Sequence, residues 1–201
     1  MPIHEWLIFW VVLGYLMGTI PFGLLLTRAA GMGDIRAIGS GNIGTTNVLR
    51  TGNKPLALAT LILDGGKGAL AVGLAMWFSH DAAAPLLAGG AAFLGHIFPI
   101  WLRFKGGKGV ATFLGTLLAL SLPVGAATLA TWILVAVLFR YSSLSALAAA
   151  TLAPVYAYAM KGMTVLMAVA LLMAMIIYLR HADNIRRLAS GQESRIGRKK
   201  G

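Results

Sequence analysis

Long uncharged runs separated by short glycine-rich polar breaks organise this chain. The first run begins at Trp6 and carries no charge as far as Leu26, and others cover 82–102, 110–139, 142–160 and 162–179. A further apolar segment, 55–79, is interrupted by Asp64-Gly65-Gly66-Lys67-Gly68. A helix rising 1.5 Å per residue needs about 20 such residues to cross a hydrocarbon layer of about 30 Å, so the pattern predicts membrane-spanning helices. The run 110–139 exceeds one crossing. Ser121-Leu122-Pro123 near its middle predicts a tight hairpin, because proline lacks a backbone N–H and disfavours helix at the residue before it.

Counting that hairpin, the expected architecture is an all-α polytopic bundle of about seven transmembrane helices. Charge then orients it through the excess of Lys and Arg in cytoplasmic loops. Loop 28–54 (Arg28, Arg36, Arg50, Lys54), loop 103–108 (Arg103, Lys105, Lys108), Arg140 and the tail from Arg180 share one face, which gathers fifteen of the 17 basic residues. Lys161 alone lies opposite, and Lys67 lies within a span. The N-terminus is therefore expected outside and the C-terminus in the cytoplasm. One membrane-embedded domain over 1–194 is expected, followed by a basic cytoplasmic tail, 195–201.

Composition agrees. The chain of 201 residues is 58% hydrophobic and 11% charged, against roughly 25% charged in soluble domains. His4 and Glu5 precede the first run where a secretory signal would carry positive charge, so that run reads as a true span. The net charge of +11 points to anionic lipid or anionic substrates rather than nucleic acid, since no basic patch is interleaved with exposed aromatics. Cysteine is absent, which removes disulfides, thiolate nucleophiles and cysteine-bound metals. No metal or other cofactor is expected.

Three polar islands carry candidate chemistry. In the first, residues 39–50 (GSGNIGTTNVLR), glycines let backbone N–H groups turn toward an anion and Arg50 offers a forked donor. Ser40, Gly41, Asn42, Thr45 and Asn47 surround that potential cradle; the plainer reading is a flexible loop with Ser40 or Asn42 as a helix N-cap. The second, residues 104–112 (FKGGKGVAT), places Gly106, Gly107, Lys108 and Gly109 at a helix start with Thr112 one turn on, a pattern suited to phosphate. It lacks Walker A spacing, and without that pattern it reads equally as a basic loop. A shorter echo at 65–68 follows Asp64, where Asp64 and Lys67 read either as functional groups or as an internal ion pair lining a polar cavity, since three residues apart on a helix they can pair directly. His96 reads as a packed histidine. The third island, residues 180–193 (RHADNIRRLASGQE), is a polybasic juxtamembrane stretch. In it His181 and Asn184 share a helical face and could orient a hydroxyl. No nucleophile–base pair is evident beside Ser40.

Taken together and in this order, the 39–50 motif, the stretch from Gly95-His96 through Pro99 to 104–112, and the 180–193 motif resemble the three motifs of the bacterial acyl-phosphate:glycerol-3-phosphate acyltransferases, the PlsY family. The resemblance covers nearly the whole chain, excepting the tail from Arg195. It implies transfer of a fatty acyl group from acyl phosphate to the 1-hydroxyl of sn-glycerol 3-phosphate, giving lysophosphatidic acid in phospholipid synthesis. It also implies that Ser40 and Arg50 are essential, that 106–109 binds glycerol 3-phosphate, that His181 and Asn184 contribute to activity, and that Glu193 serves structural integrity. The expected partners are the two substrates, membrane lipids and the soluble enzyme that makes acyl phosphate. The expected location is the bacterial cytoplasmic membrane, with the active site facing the cytoplasm. The rival reading is a transporter or channel for an anionic solute, which would show inverted repeats.

Overall fold

The computed structural model describes residues 3–197, and among them every regular element is helical. The helices are α1 (Ile3–Gly18), α2 (Phe22–Ala29), α3 (Thr45–Leu49), α4 (Lys54–Phe78), α5 (Ala83–Ile97), α6 (Val110–Leu120), α7 (Leu122–Phe139), α8 (Ser142–Lys161), α9 (Val165–Arg180) and α10 (Ala182–Ala189). They form two compact units, Met1–Leu120 and Ser121–Gly201. Large apolar side chains such as Trp77, Leu122, Val137 and Leu179 are exposed, as expected where lipid rather than water is the solvent.

The expected break near Ser121 is present: α6 ends at Leu120 and α7 begins at Leu122, with proline in its first turn. The two helices it separates are unequal in length. By length and composition five segments can cross a membrane, six if α9 and α10 count as one span bent by 63°. The 11 residues of α6 reach about 16 Å, short of a full crossing. The first run is also less regular than the sequence suggests. It breaks between Gly18 and Phe22, where Pro21 cannot donate. Irregular backbone at membrane depth needs partners from elsewhere. The Lys67 ammonium donates to the Ile20 carbonyl at 2.8 Å and the Trp101 indole to Thr19 Oγ1 at 2.8 Å.

In the first unit, small residues let backbones approach closely, the usual device where lipid tails provide no hydrophobic drive between helices. A side chain on Gly14 or Gly18 of α1 would strike the backbone of Ala88 or Ala92 on α5, and one on Gly115 of α6 would strike Gly65 of α4. The glycines at 65–68 therefore do not interrupt α4, which runs unbroken for 25 residues. Gly65 and Gly68 make the crossing with α6 while Gly66 faces away from it, and the resemblance of 65–68 to 106–109 is not a structural repeat. The second unit packs α8 between α7 and α9, with Ala146, Ala149, Ala150, Ala153 and Ala157 buried. Hydroxyl pairs 2.7 Å apart, Thr131–Tyr156 and Thr151–Tyr178, tie α8 to α7 and α9.

Candidate functional site

The first island folds into a loop built around Asn47. A cluster of Leu24, Ile35, Ile43, Val48 and Ala57 anchors it on α2 and α4. The loop enters through Asp34, whose carboxylate takes hydrogen bonds from the Arg36 backbone and guanidinium. That guanidinium, helped by Arg28, holds the Asp34 carboxyl well below the usual carboxylate range. Asn47 is buried, and its amide nitrogen lies 2.8–3.0 Å from the carbonyls of Ile35, Ile38 and Asn42. Its amide oxygen accepts from the Ser40 N–H at 3.1 Å and lies 3.4 Å from Ser40 Oγ. Asn47 thus organises the loop, with its polar atoms engaged inside the protein.

Gly39 takes a left-handed conformation, φ 59°, and a side chain there would fall on Asn47 Oδ1 and, at 3.1 Å, on Arg50 Cδ. The missing Cβ lets Ser40, Asn47 and the Arg50 stem converge. Ser40, Gly41 and Arg50 are exposed, and Asn42 and Thr45 are half-buried. Neither Ser40 nor Asn42 caps a helix: the N-cap of α3 is Gly44, and Asn42 Oδ1 instead accepts from the Gly44 N–H within the turn. The group beside Ser40 Oγ is an amide oxygen, which accepts a hydrogen bond but cannot take up a proton as a general base would.

The second island is clamped to the end of α5. The Gly106 N–H donates to the Ile97 carbonyl at 3.0 Å and the Gly107 N–H to the His96 carbonyl at 3.1 Å. A side chain on Gly107 would coincide with His96 Nε2, and one on Gly109, φ 83°, would enter the Phe93 ring. The glycines are therefore required by packing as well as by any anion, and they leave Lys108 half-buried between two fixed neighbours. Thr112 is buried, with its hydroxyl on the Asp64 carbonyl at 2.8 Å.

Asp64, Lys67 and His96 meet in the interior of the first unit. Lys67 Nζ lies 2.9 Å from Asp64 Oδ1, and His96 Nδ1 lies 3.6 Å from that same oxygen. The direct Asp64–Lys67 pairing that their spacing allows is observed. Lys67 is committed to Asp64, to the Ile20 carbonyl and to the face of the Phe22 ring, so its phosphate-binding assignment has no geometric support.

In the second unit, His181 sits at the bend between α9 and α10, buried, with Nδ1 2.8 Å from the Ile177 carbonyl. A carbonyl can only accept, so Nδ1 is the donor in this contact and carries a proton. Asn184, one turn on, donates its amide to Glu193 Oε1 at 2.7 Å. Glu193 also accepts from Ser143 at 2.9 Å and from Arg187 at 2.7 Å. Burial alone would push the Glu193 carboxyl up, but these donors, Arg187 foremost, hold it below its ordinary value. Ser143 and Arg187 carried no signal in the sequence beyond being polar. The chain does not leave the fold at 195: Arg195 stacks on Tyr141 at 5.5 Å, and the Ile196 N–H donates to the Arg140 carbonyl at 2.6 Å. Residues 198–201 of the expected tail lie outside the described residues.

Fold and site together define an α-helical integral membrane protein whose polar motifs are two hydrogen-bonded loops and a short helix rather than flexible connections. The sequence model of the glycerol-3-phosphate acyltransferase family matches residues 8–191, and the chain belongs to that family. A glycerol-3-phosphate acyltransferase of Rhodospirillum rubrum is 59% identical over 194 residues, spanning 93% of this chain and 89% of that protein. One from Caulobacter vibrioides is 57% identical over 191 residues, spanning 94% and 88%. The crystal structure of PlsY (YgiH), an integral membrane glycerol 3-phosphate acyltransferase, in its glycerol 3-phosphate form superposes with a TM-score of 0.89 at 35% identity, covering 95% of this chain and 96% of that one. Its lysophosphatidic acid form superposes at 0.87 and 34% identity, covering 95% of each chain.

Proposed function

We propose that this chain transfers a fatty acyl group from acyl phosphate to the 1-hydroxyl of sn-glycerol 3-phosphate, releasing lysophosphatidic acid and inorganic phosphate. The observation that carries this reading is the loop 106–109, fixed by Ile97 and His96 so that Lys108 stands between two glycines at the start of α6. Support comes from the superposable relative whose structure is a glycerol 3-phosphate form.

Acyl phosphate is a mixed anhydride with a good leaving group, so the protein has chiefly to position two anionic substrates and stabilise the departing phosphate. Lys108 and Arg50 anchor phosphate, and Gly41, Asn42 and Thr45 shape the first loop for it. Ser40 hydrogen-bonds substrate without forming an acyl-enzyme, in keeping with the amide rather than base beside it. The hydroxyl attacks the acyl carbon, the acyl–phosphate C–O bond breaks, and a substrate phosphate takes up the hydroxyl proton. The N-terminus lies outside and the C-terminus in the cytoplasm of a bacterial inner membrane, with α6 as a short seventh crossing. This places the basic motifs on the cytoplasmic face, within reach of the soluble enzyme that supplies acyl phosphate.

The test is turnover by purified protein with labelled glycerol 3-phosphate and either acyl phosphate or acyl-CoA. Lysophosphatidic acid formed from acyl phosphate alone is the expected result. Efficient use of acyl-CoA would overturn the donor assignment.

A further inference from the structure

Asp64 reaches both flanks of the glycine-lysine loop, although it lies more than 40 residues before it in the chain. On one flank its carboxylate stands 3.6 Å from His96 Nδ1, beyond hydrogen-bond length but close enough for strong electrostatic coupling in a dry interior. The other edge of that imidazole is the surface against which Gly107 packs without room for a Cβ, and the His96 carbonyl receives the Gly107 N–H. On the other flank the Asp64 carbonyl receives the hydroxyl of Thr112, four residues after Lys108. Lys108 is thus held between two contacts that both trace to Asp64.

An ionised pair inside a span is expensive, and a function is the usual reason for keeping one. Lys67 neutralises Asp64 and fixes the carboxylate by also binding the Ile20 carbonyl. The carboxylate stands beside the imidazole at 3.6 Å, where its charge favours a ring with Nδ1–H turned toward it. We infer that His96, held by the Asp64–Lys67 pair, is a positioning residue that sets the 106–109 loop and so the placement of Lys108 for glycerol 3-phosphate. This deepens the proposed function and rests on its assignment of Lys108.

The experiment uses the full chain in lipid nanodiscs, with His96→Ala and Lys108→Ala compared side by side. Amide hydrogen exchange over 104–112 reads loop order directly, and steady-state kinetics read binding. His96→Ala is expected to speed exchange at the loop amides about tenfold. It should raise KM for glycerol 3-phosphate about tenfold while kcat and KM for acyl phosphate stay within about twofold. In the Lys108→Ala background the His96 substitution should add little to that KM, because both act through one group.

Unchanged exchange over 104–112 would overturn the inference whatever Lys108 does. Faster exchange with KM raised by Lys108→Ala but not by His96→Ala would overturn it too, leaving the assignment of Lys108 intact. If neither substitution moves KM, the assignment of Lys108 fails and the binding role of His96 falls with it. Should His96→Ala not fold, Asp64→Asn combined with Lys67→Met replaces the pair with neutral groups of similar size. That variant should give the same exchange and KM changes, and wild-type values in both would refute the positioning role.

Discussion

The Asn184 amide nitrogen stands 2.7 Å from Glu193 Oε1, so the residue expected to touch substrate is held by the residue expected to serve integrity. Ser143 and Arg187 complete the set, which joins α10 to the start of α8 through one carboxylate. Because the folded Glu193 carboxyl titrates below its ordinary value, its stabilising contribution is fully present above the unfolded value of about 4.3 and is lost as pH falls through the folded one. The thermal unfolding midpoint should therefore decline in that acidic window, and Glu193→Gln should remove part of the decline. Unfolding scans of both proteins across pH check this.

Lys108→Ala should act chiefly on glycerol 3-phosphate. Loss of a charge-assisted hydrogen bond worth about 1.5–3 kcal/mol corresponds to a rise in KM of about 10–150-fold. Initial rates at varied glycerol 3-phosphate and saturating acyl phosphate measure it. A lost kcat at unchanged KM would place Lys108 in the transition state instead.

Ser40 should carry no acyl group during turnover. Acid quenching with labelled acyl phosphate, followed by peptide mass spectrometry over 39–50, should find that segment unmodified. A stoichiometric ester on Ser40 would replace direct transfer with a two-step mechanism.

Gly115→Ala should destabilise the first unit, since its methyl would be driven into the Gly65 backbone. Overpacking of this kind costs about 1–3 kcal/mol. Gly66→Ala, with nothing within 4 Å of its added carbon, should be tolerated. Unfolding midpoints in detergent separate the two, and equal losses would refute the crossing as the reason for these glycines.

Asn47→Ala should loosen the first island, because Asn47 satisfies the Ile35, Ile38 and Asn42 carbonyls together. The Ile35 and Ile38 carbonyls would keep the backbone N–H groups of Ile38 and Gly41 as donors, so the cost is that of the amide's own hydrogen bonds, about 0.5–1.5 kcal/mol each. Hydrogen exchange over 35–50 should rise and kcat/KM should fall, even though Asn47 itself is turned inward.

The sequence by itself determined whatever depends on neighbours along one chain. Uncharged runs long enough to cross a bilayer make helices, because backbone groups in lipid must be satisfied within the segment. Ser121-Leu122-Pro123 ends one helix and starts the next, and a three-residue spacing lets Asp64 meet Lys67. The ordered motifs were enough to point to the family. Only the tertiary structure decided which polar atoms are already spent. Asn47 and Lys67 look like ligands in a linear reading because their partners, the 35–42 carbonyls and Ile20, are not predictable from local spacing. The glycines at 65–68 and 106–109 read alike in sequence but serve a helix crossing and a clamped loop, a difference set by what packs against them. The contacts of His96 with Asp64 and Gly107 arise where three distant segments meet, and local periodicity carries no record of such meetings.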